Sequence, residues 1–270
     1  RVIQISALGA DRGASGYFRS KHEADVYVAT LPLDWTIVQP SVVYGPGGTS
    51  ARLFTMLASF PIIGLPGKGE QQVQPIHIDD LTEAIVRIVD APNTHRERIA
   101  LVGPEPLPLR EFLARLRSAM GLARTLNFPV PLVLMRLGAS IAQLSPRSLL
   151  DRETLAMLEA GNIADPTPTR ELLGRTPRNV ETFIDARYRR AIAHEGRLLW
   201  LLPLLRVSIA LVWIWTGIVS LGLYPVHESY ALLAQVGVPT ALAPLLLYGA
   251  AGLDLAFGIG SLVLARRRLL

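Results

Sequence analysis

The stretch VIQISALGADRGASGYFRSK, residues 2–21, indicates the fold class of the first two thirds of the chain. VIQIS is a short, largely β-branched run that ends in a small polar residue, which is typical of a buried strand. The following GADRGASG is rich in glycine and is typical of a loop. We expect a helix carrying Tyr17 and Lys21 to follow this loop. The chain therefore opens with the order strand, loop, helix.

The same order recurs downstream. Residues 34–48, DWTIVQPSVVYGPGG, are typical of a buried strand that Pro40 interrupts and a Gly/Pro turn closes. Residues 74–92 and 99–122 each combine a short strand with a helix of regular apolar spacing. Strands that alternate with helices predict an α/β fold with a Rossmann-like parallel sheet covered on both faces. We assign this fold to residues 1–190.

Details of the first domain can also be predicted. We place the start of the helix in residues 74–92 at Asp80, an N-cap residue with Glu83 three positions later, as in a capping box. Two or three further helices are expected between about residues 130 and 175. The chain opens with Arg1 and has no signal-peptide pattern. We therefore expect the N-terminal half of the sheet to precede this chain.

Composition narrows the classes of partner. Hydrophobic residues make up 50% of the 270-residue chain, which is high for a purely soluble protein. The net charge of +5 comes without a lysine-rich run, so we expect no nucleic-acid partner. Cysteine is absent, which excludes disulfides within the chain. The five histidines form no cluster with ligand spacing, and His77 fits a strand position better than a metal site. We predict no metal.

The composition changes after Arg197. Residues 207–226 contain no charge, and residues 241–265 contain one, Asp254. Both stretches are long enough to cross the roughly 30 Å hydrocarbon layer of a bilayer. We predict a membrane domain at residues 198–270 with spans at about 203–223 and 241–265. The alternative for either stretch is a helix in the core of a soluble domain.

Charge distribution predicts an orientation. The loop at residues 224–240 has no Lys or Arg, whereas Arg197 precedes the first span and three arginines, 266–268, follow the second. The positive-inside rule then places both ends of this domain, and the α/β domain, in the cytoplasm. We predict a multi-pass protein of the inner (cytoplasmic) membrane, with the lipid bilayer as a partner.

Two packing features are expected in these spans. Arg206 and Asp254 lie at similar depth, so we predict an ion pair between them, because isolated charges in a bilayer are costly. The alternatives are that Arg206 extends to the cytoplasmic surface of the membrane or that Asp254 faces a helix that is missing from this chain. Gly252, Ala256 and Gly260 form a small-residue stripe suited to close packing between helices.

Tyr17 and Lys21 are candidates for acid/base chemistry. Residues four apart on a helix share a face, so the phenol and the ammonium can meet. A nearby cation stabilises phenolate, and we therefore expect the pKa of Tyr17 to be lowered, as a general acid/base requires. The alternative is two polar residues on a solvated helix face. Ser6 ends the preceding strand, at the sheet edge where open α/β folds bind ligands.

SALGA…YFRSK, then WTIVQPSVVYGPGG, then IHIDDLTEAI resemble the second half of an extended or atypical short-chain dehydrogenase/reductase. The chain is similar to NAD-dependent epimerase/dehydratases and to the branch that contains the complex I accessory subunit. The resemblance implies that Tyr17 transfers a proton, that Lys21 activates it and binds the nicotinamide ribose, and that Ser6 contacts the substrate oxygen. NAD or NADP is the implied cofactor.

The resemblance also implies a segment beside the nicotinamide, formed by Pro40, Ser41, Val42 and Val43. The family usually has arginine before this proline, where this chain has Gln39. No G-x-G-x-x-G phosphate loop follows an early strand here, so we expect these 270 residues alone to bind a dinucleotide poorly.

The region after Arg206 resembles the first half of a DoxX-like membrane domain, which normally has four helices. We expect a membrane-tethered NAD(P)-dependent oxidoreductase or epimerase/dehydratase with a small-molecule substrate, lipid-like or quinone-like. The first alternative is a catalytically silent nucleotide-binding scaffold or assembly factor for a membrane redox partner. The second is a redox-linked membrane module that the α/β half regulates.

Overall fold

The computed structural model describes residues 1–13, 15–91, 96–142 and 161–263. The chain divides into two compact units, residues 1–197 and residues 198–270. We call the first the α/β unit and the second the apolar helical unit.

A parallel sheet forms the centre of the α/β unit. Its strands are β1 (Val2–Ile5), β2 (Trp35–Pro40) and β7 (Glu97–Leu101), in the order β1-β2-β7. Ile5 pairs with Val38, and Pro40 pairs with Leu101. The three strands therefore end at the same edge of the sheet. The predicted parallel α/β architecture is confirmed.

Helices cover both faces of β2, because successive side chains of a strand point to opposite faces. Ile37 packs with Val28 of α1 (Gly16–Thr30) on one face. Val38 packs with Leu81 of α3 (Ile78–Asp90) on the other. Ile37 and Val38 are both completely buried, which explains why the strand has no polar alternation.

A second apolar core lies beside this sheet. It is built on α2 (Thr49–Ser59) and α4 (Leu109–Ala119), with Phe54 and Phe112 in an edge contact at 5.0 Å between ring centroids. Three two-stranded pairs surround these helices. They are β3 (Val43–Tyr44) with β6 (Ile76–His77), β4 (Ile62–Pro66) with β9 (Leu126–Val130), and β5 (Gln72–Val73) with β8 (Leu107–Pro108).

The predicted capping box at Asp80 is wrong. Helix α3 begins at Ile78, and the His77 side chain accepts the capping hydrogen bond from the Asp79 N–H at 3.2 Å. Asp80 lies in the first turn and is completely buried. Its carboxylate accepts from Arg175 Nη2 at 2.8 Å and from the Arg178 N–H at 2.7 Å. His77 therefore supplies the cap, and Asp80 is used in contacts with distant residues instead.

Within the described residues between 130 and 175, two helices are present, where two or three were expected for the whole region. They are α5 (Leu132–Ala142) and α6 (Thr167–Leu173). The part of this prediction that concerns residues 143–160 lies outside the described residues. Two short 3-10 turns follow, Val180–Thr182 and Ala186–Tyr188.

The apolar helical unit contains most of α7 (Arg189–Ile218), a π-helical turn (Val219–Leu223), α8 (Val226–Gln235) and α9 (Ala243–Val263). Two helical segments are long and apolar enough to cross a membrane, Ala186–Leu223 and Ala243–Val263. Only 6% and 11% of their most apolar windows are buried within the protein. These low fractions argue against the alternative of helices in a soluble core, which would be largely buried.

The two long helices of the apolar unit pack through small residues. A Cβ on Gly258 would lie 2.5 Å from Ile214 Cγ1 and 3.1 Å from the Ala210 carbonyl oxygen. A Cβ on Gly217 would lie 3.0 Å from the Ala251 carbonyl oxygen. Glycine at these positions lets the two backbones approach closely.

Gly252 of the predicted stripe does not make this contact. Open space surrounds Gly252, and Ala256 and Gly260 line an open groove with Trp213 and Phe257. The close contacts between the two helices are made by Gly217 and Gly258, which the prediction did not name. The salt bridges of the described residues also include none between Arg206 and Asp254, so the predicted ion pair is not present.

This packing predicts different effects for two glycines on one helix. Gly258→Leu should separate α9 from α7, because the added side chain meets Ile214 and a backbone carbonyl, at a cost of about 1–3 kcal/mol. Gly252→Leu is the matched control, since nothing lies within 4 Å of its Cβ position. Cysteines at Trp213 and Phe257, whose rings are 5.5 Å apart, would report the separation through a short thiol cross-linker. Equal cross-linking in the two leucine variants would contradict the packing described.

Candidate active site at the carboxyl edge of the sheet

The residues that follow β1 and β2 are joined at the carboxyl edge of the sheet. The Ser6 N–H donates to the Val38 carbonyl at 2.8 Å, and the Leu8 N–H donates to the Pro40 carbonyl at 2.9 Å. The Ser41 N–H donates to the Leu101 carbonyl at 3.0 Å. These bonds continue the parallel ladder past the strand ends. Ser6 and Ser41 therefore lie at the edge where the sequence predicted the site.

The loop between β1 and α1 turns at Gly9. Gly9 has a φ of +83°, a conformation that glycine adopts readily, and its carbonyl accepts from the Gly13 N–H at 3.0 Å. Ser15 then caps α1, because its hydroxyl accepts from the Phe18 N–H at 3.2 Å. The glycine-rich loop that the sequence predicted thus leads into α1, which starts beside the end of β1.

Lys21 extends from α1 back to this strand end. Its Nζ donates to the Ile5 carbonyl oxygen at 2.9 Å and lies 5.9 Å from the centroid of the Tyr17 ring. The ammonium therefore lies at the end of β1 and near the phenol, as their spacing predicted. Tyr17 is 43% exposed and Ile5 is 39% exposed, so this part of the edge is accessible to a ligand.

The electrostatics of Tyr17 differ from the prediction. Partial burial raises the pKa of the Tyr17 hydroxyl, because desolvation disfavours the charged phenolate. We expected Lys21 to lower this pKa. The ammonium instead donates to the Ile5 carbonyl. The phenol of this structure is consequently protonated at neutral pH.

Ser6 is not accessible in the same way. Its side chain is 2% exposed, and its hydroxyl donates to Asp25 Oδ2 at 2.5 Å. Asp25 lies on α1, one turn beyond Lys21, and is 1% exposed. The Ser6 hydroxyl is therefore buried and already hydrogen-bonded to Asp25. This arrangement does not support direct contact between Ser6 and substrate. Sequence analysis missed Asp25, although an acid four residues after Lys21 was a usable signal.

The segment Pro40–Val43 is held by polar contacts from distant parts of the chain. The Ser41 hydroxyl donates to the Gln74 carbonyl at 2.5 Å. The Val42 N–H donates to Asn162 Oδ1 at 3.0 Å, and Asn162 Nδ2 donates to the Leu8 carbonyl at 3.2 Å. Asn162 thus ties the loop after β1 to the residues after β2. No local sequence signal could have identified Asn162, which is 120 residues from Val42.

Gln74 completes this support and is completely buried. Its Nε2 donates to the Gly103 carbonyl at 2.9 Å, and its Oε1 accepts from the Ala164 N–H at 2.9 Å. A Cβ on Gly103 would lie 2.1 Å from the Pro75 carbonyl oxygen, so only glycine fits there.

His77 occupies the strand position that the sequence predicted, at the end of β6. Its side chain is buried against Phe183, with ring centroids 5.3 Å apart. Burial lowers the pKa of His77. Among the described residues, no group of three or more His, Asp or Glu side chains could hold a metal ion.

Two family models match separate parts of the chain. Residues 6–103 match the NAD dependent epimerase/dehydratase family, and residues 210–270 match the DoxX-like family. These are the two resemblances that the sequence motifs indicated, and the matches confirm them. The epimerase/dehydratase match includes Ser6, Tyr17, Lys21 and the segment Pro40–Val43.

One curated relative is also similar to this chain. The chain is 26% identical over 133 residues to the mitochondrial NADH dehydrogenase [ubiquinone] 1 alpha subcomplex subunit 9 of Dictyostelium discoideum. That match covers 48% of this chain and 37% of the relative, so the chain spans little more than a third of that protein.

Two solved structures share the fold at low sequence identity. A nucleoside-diphosphate-sugar epimerase from Staphylococcus aureus has a TM-score of 0.53 at 16% identity, covering 67% of this chain and 62% of the epimerase. The NADPH-dependent quinone oxidoreductase QOR2 from Escherichia coli, complexed with NADPH, has a TM-score of 0.53 at 14% identity, covering 71% and 64%. This chain thus spans less than two thirds of each.

The buried hydrogen bonds of Gln74 predict that its replacement destabilises the protein more than replacement of Gln72. Gln74→Leu should lower the free energy of unfolding by about 1–3 kcal/mol, because the buried Gly103 carbonyl loses its partner, and by a further, smaller amount for the half-buried Ala164 N–H. Gln72→Leu is the control, because Gln72 Nε2 makes only an exposed bond to the Glu70 carbonyl at 3.2 Å. Urea-induced unfolding in detergent would measure both. Equal losses would show that the Gln74 contacts do not stabilise this edge.

Proposed function

We propose that this chain carries the proton-transfer site of a membrane-tethered, NAD(P)-dependent oxidoreductase or epimerase/dehydratase of the short-chain dehydrogenase/reductase type. The observation that carries the proposal is the position of Lys21. Its ammonium binds the last carbonyl of β1 while lying beside the partly exposed ring of Tyr17. An accessible phenol and a fixed cation thus share the ligand-binding edge of an α/β sheet.

Tyr17 would donate a proton to an oxygen of the substrate. The hydroxyl is protonated at neutral pH, as any phenol is, and can donate its proton when a carbonyl is reduced. Burial raises its pKa, which makes it a weaker acid, so the transfer would depend on the cation beside it. Lys21 would hold the substrate oxygen and phenol in a positive field, which stabilises negative charge that develops there. When an alcohol is oxidised instead, Tyr17 would act as the base in its phenolate form. Lys21 would then have to approach the hydroxyl more closely to stabilise that phenolate.

The residues at this edge fit the nicotinamide end of NAD or NADP. An ammonium has three donors, and only one is used in the bond to Ile5, which leaves donors for ribose hydroxyls. The nicotinamide supplies or accepts the hydride when it is bound. The buried contacts of Ser41, together with the Val42 and Asn162 bond, would hold Pro40, Ser41, Val42 and Val43 rigidly beside it.

The apolar helical unit supports the proposed tether. Its two long helices are exposed along apolar faces, and it includes the DoxX-like match. We place these helices in the inner (cytoplasmic) membrane with the α/β unit in the cytoplasm, because arginines flank them and the connecting loop lacks Lys and Arg. A tethered site would suit a lipid-like or quinone-like substrate.

A second function has specific support. The matched relative is named as a subunit of NADH dehydrogenase, a membrane redox complex. The chain would then belong to a catalytically silent, nucleotide-binding scaffold or assembly factor that joins such a partner. In that case the Tyr17 and Lys21 pair would bind nucleotide without turnover.

Replacement of one of two tyrosines on α1 separates these functions. Tyr17→Phe should lower the turnover of NADH or NADPH oxidation by about 10²–10⁴-fold, because the proton donor is lost. Tyr27→Phe, at a 66% exposed position on the same helix, should leave turnover unchanged. The assay would use the whole protein in native membranes with a short-chain quinone as acceptor, and each cofactor in turn.

Equal turnover in the two variants would remove Tyr17 from the mechanism. Nucleotide binding without turnover across quinone and nucleoside-diphosphate-sugar substrates would favour the scaffold. Loss of a membrane complex when the protein is deleted, with the complex restored by the Tyr17→Phe variant, would support that second function.

A further inference from the structure

A buried carboxylate lies next to the proposed site without a role in it. Asp25 is 1% exposed, and its Oδ2 accepts a hydrogen bond from the Ser6 hydroxyl at 2.5 Å. Its Oδ1 has no hydrogen-bond partner among the described residues. Burial of a carboxylate with so few partners is costly, and an aliphatic side chain would avoid this cost. Packing alone therefore does not explain an aspartate at this position.

The contacts of Asp25 fix one helix to one strand. Lys21 and Asp25 are one turn apart on α1, and they bind consecutive residues of the chain, Ile5 and Ser6. Two bonds to adjacent residues restrict both sliding and rotation of the helix on the strand end. Ser6 is itself held by the sheet, since its N–H donates to Val38 at 2.8 Å. A continuous path of hydrogen bonds thus runs from β2 through Ser6 and Asp25 to α1.

We propose that Asp25 and Ser6 form a positioning pair that sets the register of α1 on β1, and through it the location of Tyr17 and Lys21. The inference rests on the proposed function, because the register matters for the reaction only if these two residues act in it. Asp25 does not touch the substrate. Ser6 acts here through its buried bond to Asp25, in place of the substrate contact that the family resemblance implied.

The pair can be tested by a readout that needs no substrate. Tyrosine labelled with ¹³C at Cζ would give the Tyr17 pKa by NMR titration, with the signal assigned by its absence in Tyr17→Phe. Loosening α1 should admit water to the ring and lower the Tyr17 pKa toward 10.0, because partial burial is what raises it. Asp25→Ala and Ser6→Ala should produce similar shifts. The double variant should shift no further, since both residues act through one bond.

Conservative and control variants sharpen the test. Asp25→Asn keeps an acceptor for the Ser6 hydroxyl and should restore most of the wild-type titration. Glu23→Ala, at an exposed acid on the same helix, should leave the titration unchanged. If Asp25→Ala does not fold, Ser6→Ala and Asp25→Asn still decide the outcome. A wild-type titration in Ser6→Ala would overturn the proposal.

Kinetics in the whole protein provide an independent measurement. Ser6→Ala should lower kcat by about ten- to a hundredfold with little change in KM, because a misplaced proton donor slows chemistry more than binding. A change confined to KM would overturn the proposal, since it would show that Ser6 contacts substrate in the ground state. If wild-type protein has no hydride-transfer activity, the proposed function fails while the titration still reports whether the pair positions α1.

Discussion

Two hydrogen bonds fix the start of α1 to the end of β1. Lys21 binds the Ile5 carbonyl at 2.9 Å, and Asp25 binds the Ser6 hydroxyl at 2.5 Å. The loop between strand and helix turns at Gly9, and Lys21 and Asp25 then hold α1 at the carboxyl edge of the sheet. Without these bonds, a phenol in the first turn of a helix would be an ordinary surface group. With them, Tyr17 has a fixed position beside a cation.

The sequence predicted the α/β order well, because glycine and proline punctuate it and buried strands such as residues 35–40 show continuous apolar runs. It failed where distant residues compete with local patterns. Asp80 has the spacing of a cap but is held by Arg175, and Asn162 acts on Val42 from 120 residues away. The Tyr17 pKa was predicted in the wrong direction because spacing reports neighbouring charges but not burial.

The apolar helical unit has the features of a membrane domain. Its long helices leave most of their apolar surface exposed, as expected when lipid rather than protein is the surrounding solvent. Close packing at Gly217 and Gly258 holds the pair together through backbone approach, so bulky apolar side chains remain available to face lipid. The match to the DoxX-like family agrees with this arrangement.

A cryo-electron microscopy structure of the whole protein in a lipid nanodisc, with NADH or NADPH added, would measure the distance between the Tyr17 hydroxyl and the nicotinamide directly. We predict that the Tyr17 hydroxyl lies beside the nicotinamide, with room for a substrate oxygen at about 3 Å from the phenol, and that α1 remains bound to the end of β1. A nicotinamide bound away from Tyr17, or a helix α1 detached from Ile5 and Ser6, would contradict this account.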